Sequence, residues 1–420
     1  MKNIARFLLR TMLSAAVVLQ FFCLSAQQAG RYLEPVFDRV LVTSEIKYSS
    51  AIREGDDTPT LLYLDFYEPS GDTLGARPLV ITVFGGAFVT GSRDYVDMVE
   101  YGHRLAKLGY VVASVDYRLL PILLLNSESL IRAAYKGAQD VSSAVRFFKL
   151  HSSEYRIDTN NIFLLGNSAG SIASIHEVFL NDDERPVETF SEPDAGPLHG
   201  EGFHDYAYIS PKVSGIVAHW GGVMDVNIID PEEYVPICMI HGTEDKVVPY
   251  DSGYCYSEYA ASLSPYMYGS HTIAAHLDNL GITDYEFHPF EGLGHCFYIW
   301  GLAFLDEEKF NSCYEITKNF LYNHLSAGNT ENINARPSAD RLHVYPNPAE
   351  DFVTVDLGSA NDACNVSLHD HCGRMVKMSG AMPCNDGKIT FPVSDLPSGL
   401  YFLHITDNKG FSAVSKLLVK

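Results

Sequence analysis

Gly166-Asn167-Ser168-Ala169-Gly170 follows the apolar run Asn161-Ile162-Phe163-Leu164-Leu165 and leads into Ser171-Ile172-Ala173-Ser174-Ile175-His176. A strand, a glycine-flanked turn and a helix start, in that order, lift a serine oxygen clear of a sheet, where it can attack a carbonyl carbon. The G-x-S-x-G pattern alone is a weak signal, and three further segments strengthen it. Leu79 to Phe84 reads as a strand running into Gly85-Gly86-Ala87-Phe88 and Thr90-Gly91-Ser92-Arg93. Small residues there let backbone N–H groups approach a substrate oxyanion. We assign Gly86, Ala87 and Ala169 as those donors, with Gly85 shaping the loop. His241-Gly242-Thr243-Glu244-Asp245-Lys246-Val247-Val248-Pro249 follows the strand Ile237 to Ile240. Its Asp245 is the carboxylate chosen to hold an imidazole in the needed tautomer, with Glu244 and Asp225 as fallbacks. Glu291-Gly292-Leu293-Gly294-His295 supplies the imidazole, which would take the Ser168 proton and pass it to a leaving alcohol. Each segment has a plain reading: a glycine turn, an acidic turn residue, a loop histidine. Four of them in the order Ser168, Asp245, His295 are hard to obtain by chance.

The elements that must carry these residues alternate between strand and helix. Leu41 to Tyr48 alternates like an edge strand, and Leu61 to Tyr67 is a second strand. Pro78 to Phe84 and Val111 to Val115 are continuous and apolar, as central strands of a parallel sheet are. Helical spacing ends at Gly109 and returns from Ala133 to Leu150; later strands are Val213 to Ala218, Ile237 to Ile240 and Tyr285 to Pro289. The fold class read from this is α/β, a doubly wound, mostly parallel sheet. From Ser326 the chain turns polar, and beyond it short alternating runs replace helices: Phe352 to Leu357, Asn365 to Asp370, Lys388 to Val393, Gly399 to Thr406 and Phe411 to Val419. That is a small all-β sandwich. The boundaries are 1–26 for a leader, 27–325 for the catalytic domain, 326–339 for a linker and 340–420 for the sandwich.

The leader reads as a signal peptide. Lys2, Arg6 and Arg10 precede an apolar stretch from Met12 to Leu24, and Leu24-Ser25-Ala26 offers a cleavage site. The apolar run is short for a spanning helix, and Phe22 before Cys23 argues against a lipid-modified cysteine. A net charge of −22 argues against nucleic acid and anionic membranes as partners. Beyond Cys23 the cysteines are Cys238, Cys255, Cys296, Cys313, Cys364, Cys372 and Cys384, an odd set with no pair evident from spacing. The histidines at 199, 204, 271, 276 and 288 are scattered, no cluster has metal-ligand spacing, and no cofactor is expected. Tyr250, Tyr254, Tyr256, Tyr259, Tyr266 and Tyr268 crowd between Asp245 and His295, either as packing and surface or bordering a pocket for aromatic acyl groups or sugars. Ser191 to Gly202 reads as a flexible insertion at the pocket mouth or a passive loop.

Residues from about 40 to 325 resemble the α/β-hydrolase superfamily, within it the carboxylesterase branch of hormone-sensitive-lipase-like enzymes and bacterial feruloyl and acetyl-xylan esterases. The resemblance rests on Leu64-Asp65-Phe66-Tyr67, Phe84-Gly85-Gly86-Ala87-Phe88, Ser114-Val115-Asp116-Tyr117-Arg118, Asp140 with Ala144-Val145-Arg146-Phe147, the Ser168 turn, and the segments around Asp245 and His295. It implies a serine carboxylesterase acting through an acyl-enzyme on Ser168. Asp116, Arg118 and Asp140 are read as braces of the scaffold. A serine peptidase of the same fold and a non-catalytic surface binding protein are the alternatives; the short Gly-Gly-Ala loop favours esters. The family pattern has histidine where Phe84 stands, so another group must hold the oxyanion loop. The tail, with Val344-Tyr345-Pro346-Asn347-Pro348-Ala349, Leu396-Pro397-Ser398-Gly399-Leu400-Tyr401 and Lys416-Leu417-Leu418-Val419-Lys420, resembles the type A C-terminal sorting domain of the type IX secretion system. That resemblance implies export to the surface or medium, the secretion machinery as a partner, and extracellular substrates such as small or polysaccharide-linked esters. A carbohydrate-binding sandwich is the alternative, weakened by the lack of clustered tryptophan.

Overall fold

The computed structural model describes residues 30–199, 209–258, 260, 263–300, 304–326, 343–356, 364–370, 374–382, 388–407 and 412–420. The leader with Cys23, the linker after Ser326, residues 200–202 of the acidic insertion, His204, Tyr259, Cys372 and Cys384 lie outside the described residues.

An antiparallel pair opens the chain: β1 (Val40–Ile52) and β2 (Pro59–Pro69). β3 (Arg77–Val83), α1 (Val96–Leu108), β4 (Val111–Val115), α2 (Ser127–Leu150), β5 (Ile157–Asn167), α3 (Ala169–Phe179) and β6 (Gly215–His219) follow. Then come β7 (Gly222–Val223), β8 (Ile237–Gly242), β9 (Ser252–Tyr254), β10 (Tyr266–Gly269), α4 (Ser270–Asn279), β11 (Tyr285–Phe290), β12 (Ile299–Trp300), β13 (Phe304–Leu305) and α5 (Glu307–Asn323). The large sheet runs β1-β2-β4-β3-β5-β6-β8-β11. From β4 to β11 every neighbouring pair is parallel, and β1 and β2 are the antiparallel edge.

β3, β4, β6 and β8 are buried residue after residue, which requires cover on both faces of the sheet. Two helix pairs supply it. On α1 and α5, the Tyr101 and Phe310 rings meet at 4.9 Å and Arg104 reaches Glu307 at 3.1 Å. On α2 and α3, a Cβ at Gly137 would sit 3.4 Å from that of Ala173. α1 stops where Gly109 turns left-handed (φ 108), a conformation cheap only for glycine. α2 starts at a capping box, in which Asn126 accepts from the Ser129 amide and Ser129 accepts from the Asn126 amide, satisfying two end groups that burial would otherwise leave unpaired.

Register brings the chemistry-bearing loops together. Val83 pairs with Gly166, Gly166 with Ala218, His219 with Ile240, and Gly242 with Phe290. The carboxyl ends of β3, β5, β6, β8 and β11 therefore form one rim, the place where parallel sheets present their ligand-binding loops.

The tail is a second body of strands with its own core. β14 (His343–Tyr345), β15 (Phe352–Asp356) and β18 (Lys388–Pro392) form one antiparallel sheet. β16 (Cys364–His369), β17 (Met375–Met382), β19 (Gly399–Asp407) and β20 (Ser412–Val419) form the other. Val353, Val355, Val366, Leu368, Leu403 and Ile405 alternate into a shared core. Two strands were not expected from sequence, β14 and β17. β17 carries Met375 and Met378 outward, 52% and 62% exposed, so it has no period-two pattern to read.

Candidate active site

Ser168 sits between β5 and α3 with φ 49 and ψ −119, a strained backbone that bulky packing must hold in place. A Cβ on Gly170 would lie 2.0 Å from the Val83 carbonyl oxygen, so only glycine lets the helix start this close to β3. The Ser168 amide donates to the His219 carbonyl at 2.9 Å. Its hydroxyl is thereby aimed at the loop after β11, where Oγ meets His295 Nε2 at 2.8 Å. His295 Nδ1 meets Asp245 Oδ2 at 2.7 Å. The three residues chosen from sequence are one hydrogen-bonded chain.

Each member is held from behind. Asp245 Oδ1 accepts from the Val247 and Val248 amides at 2.8 and 3.0 Å. Its Oδ2 lies 3.2 Å from His241 Nε2 as well. Burial opposes ionisation of Asp245, but the bonds from His241 and His295 outweigh it and hold the carboxyl at about 2. Burial alone would lower the His295 imidazolium; the Cys296 sulfur and the Asp245 carboxylate beside it push it above its ordinary value. Buried Trp220 stacks edge-on to the His295 ring at 6.1 Å. The fallback Glu244 is exposed, and Asp225 is exposed and spends Oδ1 on the Asn227 amide at 2.9 Å.

The loop after β3 touches the elbow directly. A Cβ on Gly85 would lie 2.5 Å from Asn167 Oδ1 and 3.0 Å from Ser168 Cβ. Ala87 and Ala169 line one cavity with Ser168, and Gly86 lies outside that lining. Gly86 also turns the loop, its carbonyl accepting from the Val89 and Thr90 amides at 3.1 Å each. The missing histidine at position 84 has a substitute. Tyr117 donates its hydroxyl to the Phe84 carbonyl at 3.0 Å, and the two rings stack at 4.4 Å.

Sequence reasoning passed over Asp97, His241, Trp220, Tyr117 as a loop brace, and Cys296. Asp97, at the start of α1, is fully buried and accepts from Asn167 Nδ2 beside Ser168. Burial lifts its carboxyl to about 6, against the pull of backbone amides and Asn167. His241 and Tyr117 lie in segments already singled out; Asp97, Trp220 and Cys296 do not. The scaffold braces are placed as expected: Arg118 Nε bonds Asp140 at 2.9 Å with both side chains buried, and Arg93 bonds Asp116 at 2.6 Å.

Other expectations change. Of the described tyrosines between Asp245 and His295, only Tyr256 lines the cavity; Tyr254 and Tyr266 pack on each other at the surface and Tyr250 stacks on His271. Where it is described, the acidic insertion is tied to α2. Arg132 holds the carbonyls of Glu188, Ser191 and Pro193, and Gln139 those of Ala195 and Pro197. Cys238, Cys255, Cys296, Cys313 and Cys364 are free thiols. Among the described residues, folding also makes one group of possible metal ligands that spacing hid: Cys238, Glu286 and His288 offer atoms within 4.8 Å of one another. Glu286 and His288 are two apart on β11, and Cys238 is the register partner of Glu286. His288 already bonds Glu286 at 2.9 Å, and burial pushes the Cys238 thiol up, away from a ready thiolate.

Residues 64–231 match the BD-FAE family model, and residues 343–420 match the secretion system C-terminal sorting domain. The first match runs from within β2 to beyond β7, and so includes Ser168 and the loop after β3; Asp245 and His295 lie beyond it. The chain is 26% identical over 223 residues to a probable isoprenylcysteine alpha-carbonyl methylesterase of Arabidopsis thaliana, covering 46% of this chain and 44% of that protein. It is 25% identical over 209 residues to a probable carboxylic ester hydrolase of Mycobacterium tuberculosis, covering 44% and 46%. It thus spans less than half the length of these curated relatives. Esterase 2 of Thermogutta terrifontis superposes with a TM-score of 0.47 at 19% identity, over 68% of this chain and 95% of that one. The large sheet with its helices has the α/β-hydrolase fold, and the sorting domain marks the chain for type IX secretion to the cell surface or medium.

Proposed function

We propose that the chain is a secreted carboxylic ester hydrolase working through an acyl-enzyme on Ser168. The observation that carries this is the unbroken chain from Ser168 Oγ to His295 to Asp245. Ser168 Oγ attacks the ester carbonyl carbon while His295 Nε2 takes the hydroxyl proton, and the carbonyl electron pair moves onto its oxygen. That oxyanion is met by the amides of Gly86, Ala87 and Ala169, with Gly85 shaping the loop. The carbon–oxygen ester bond then breaks, and the alcohol leaves with the proton from Nε2. Water repeats the sequence, losing its proton to Nε2, and the carboxylic acid departs. Asp245 keeps the imidazole in the tautomer with hydrogen on Nδ1 and stabilises the imidazolium formed twice in each turnover.

Export sets the substrate's place: an ester outside the cell, with acylated polysaccharide one class met there. The catalytic unit is residues 27–325, joined by a linker at 326–339 to the sorting unit at 340–420. The test is hydrolysis of p-nitrophenyl acetate by the full chain beside Ser168→Ala. Turnover lost with the serine is the expected result. Equal rates in both proteins, with both folded, would end the proposal.

A further inference from the structure

β11 is an edge strand of the large sheet, paired along one side only, with β8. The Asp245 loop leaves β8 and the His295 loop leaves β11, so a tie between these two strands steadies both. Glu286 and His288 stand two apart on β11 and therefore share a face. Phe287 between them turns the other way, its ring 5.9 Å from that of Tyr250. Cys238 on β8 is the parallel register partner of Glu286. The ligand atoms of Cys238, Glu286 and His288 all lie within 4.8 Å of one another.

A thiol, an imidazole and a carboxylate together suit a borderline-soft divalent cation. Calcium and magnesium want oxygen donors and would find a single carboxylate here. A tetrahedral Zn²⁺ with bonds of ~2.0–2.3 Å holds its donors about 3.5 Å apart. Glu286 and His288, at 2.9 Å, would part slightly. Cys238 would close in by about 1.3 Å at most, within the reach of small side-chain adjustments. The His288 and Glu286 side chains are 34% and 32% exposed, which gives an ion a path from solvent. Cys238 is buried and closes the inner side.

We propose that Cys238, Glu286 and His288 form a structural Zn²⁺ site that clips β8 to β11. The ion takes Cys238 as thiolate, its proton passing to solvent, with the neutral His288 ring, one Glu286 oxygen and a water as the other ligands. The clip is structural rather than catalytic. Cys238 lies ~13 Å down β8 from Gly242 at the rim, at ~3.3 Å per residue. It stands independently of the esterase reading.

The reduced full chain is stripped with a chelator and titrated with Co²⁺, which occupies zinc sites and gives a near-ultraviolet band when bound to thiolate. The band is expected to saturate at one Co²⁺ per chain and to vanish on adding Zn²⁺. Zn²⁺ at about a hundredfold above its Kd should raise the Tm by about 5 °C, while kcat/KM on p-nitrophenyl acetate changes by less than about twofold. Cys238→Ser should abolish the band, and His288→Ala should weaken Zn²⁺ binding by about tenfold or more. Cys313→Ser, on the helix packed over β8, should leave band and binding unchanged. No thiolate band, or an undiminished band in Cys238→Ser, would overturn the site. Turnover lost on chelation and restored by Zn²⁺ would overturn its structural role.

Discussion

Asp245 and Asp97 are both buried acids near Ser168, and their surroundings drive them apart. Asp245 has two imidazoles and two amides and is held at about 2; Asp97 has one side-chain donor, Asn167, and rises to about 6. Asp245 therefore stays ionised throughout the working range and is suited to orient His295. Asp245→Asn should lower kcat by about 10³–10⁴-fold, read by initial rates with the Tm checked alongside. His295 acts as a base only when neutral, and its neighbours raise it above the ordinary value of 6.5. Activity should accordingly fall as pH drops, with the acid limb of kcat/KM centred above 6.5; a limb at or below 6.5 would contradict that electrostatic reading. For Asp97 the sign is the reverse of a salt-bridged acid. Its folded value lies above the ordinary 3.8, so its contribution to stability is full below 3.8 and is lost as pH rises through about 6. The gap, at ~1.4 kcal/mol for each pH unit, amounts to about 3 kcal/mol. The stability of Asp97→Asn relative to the wild type should improve by about that amount between pH 4 and pH 7, measured by urea unfolding at each pH.

The loop after β3 shows how an element can be held with a phenylalanine at position 84. Tyr117 supplies from the loop after β4 the hydrogen bond that Phe84 lacks, and its ring fills the space against Phe84. Tyr117→Phe keeps the stacking and removes the bond. It should lower kcat about tenfold with little change in KM, because the loop acts on the oxyanion more than on bound substrate. The elbow tolerates less. Gly170→Ala places a carbon 2.0 Å from the Val83 carbonyl oxygen and should lower stability by about 3 kcal/mol, seen as a fall in Tm. Much of this was legible in sequence. Ser168 and Asp245 each follow an apolar strand, His295 follows the last strand of the sheet, and all three carry glycines or turn residues around them, so local pattern located them. Asp97 and Trp220 left no such trace, because their roles come from register and packing between distant segments. β17 was missed for a related reason: an edge strand with exposed methionines has no alternation.

At the scale of the whole molecule, most buried apolar side chains among the described residues fall into two clusters, one from Tyr32 to Leu321 and one from Ala349 to Val419. Each has the content of an independent domain. In the second, Asn347 stands in for a strand: its Nδ2 donates to the Lys416 carbonyl at 2.8 Å and its Oδ1 accepts from the Leu418 amide at 2.9 Å, tying the Pro346-Asn347-Pro348 stretch to β20. A chain of residues 27–325 should therefore fold and keep kcat/KM within about twofold of the full chain. A large loss would show that the tail supports the catalytic unit. The most direct measurement is made on the covalent step. The full chain is mixed with p-nitrophenyl butyrate, quenched in acid within the first turnovers, and weighed intact, with peptide mapping of the adduct. A butyryl group on Ser168, absent in Ser168→Ala and strongly reduced in His295→Ala, is the expected result. An adduct on another residue, or the same yield without His295, would contradict the triad.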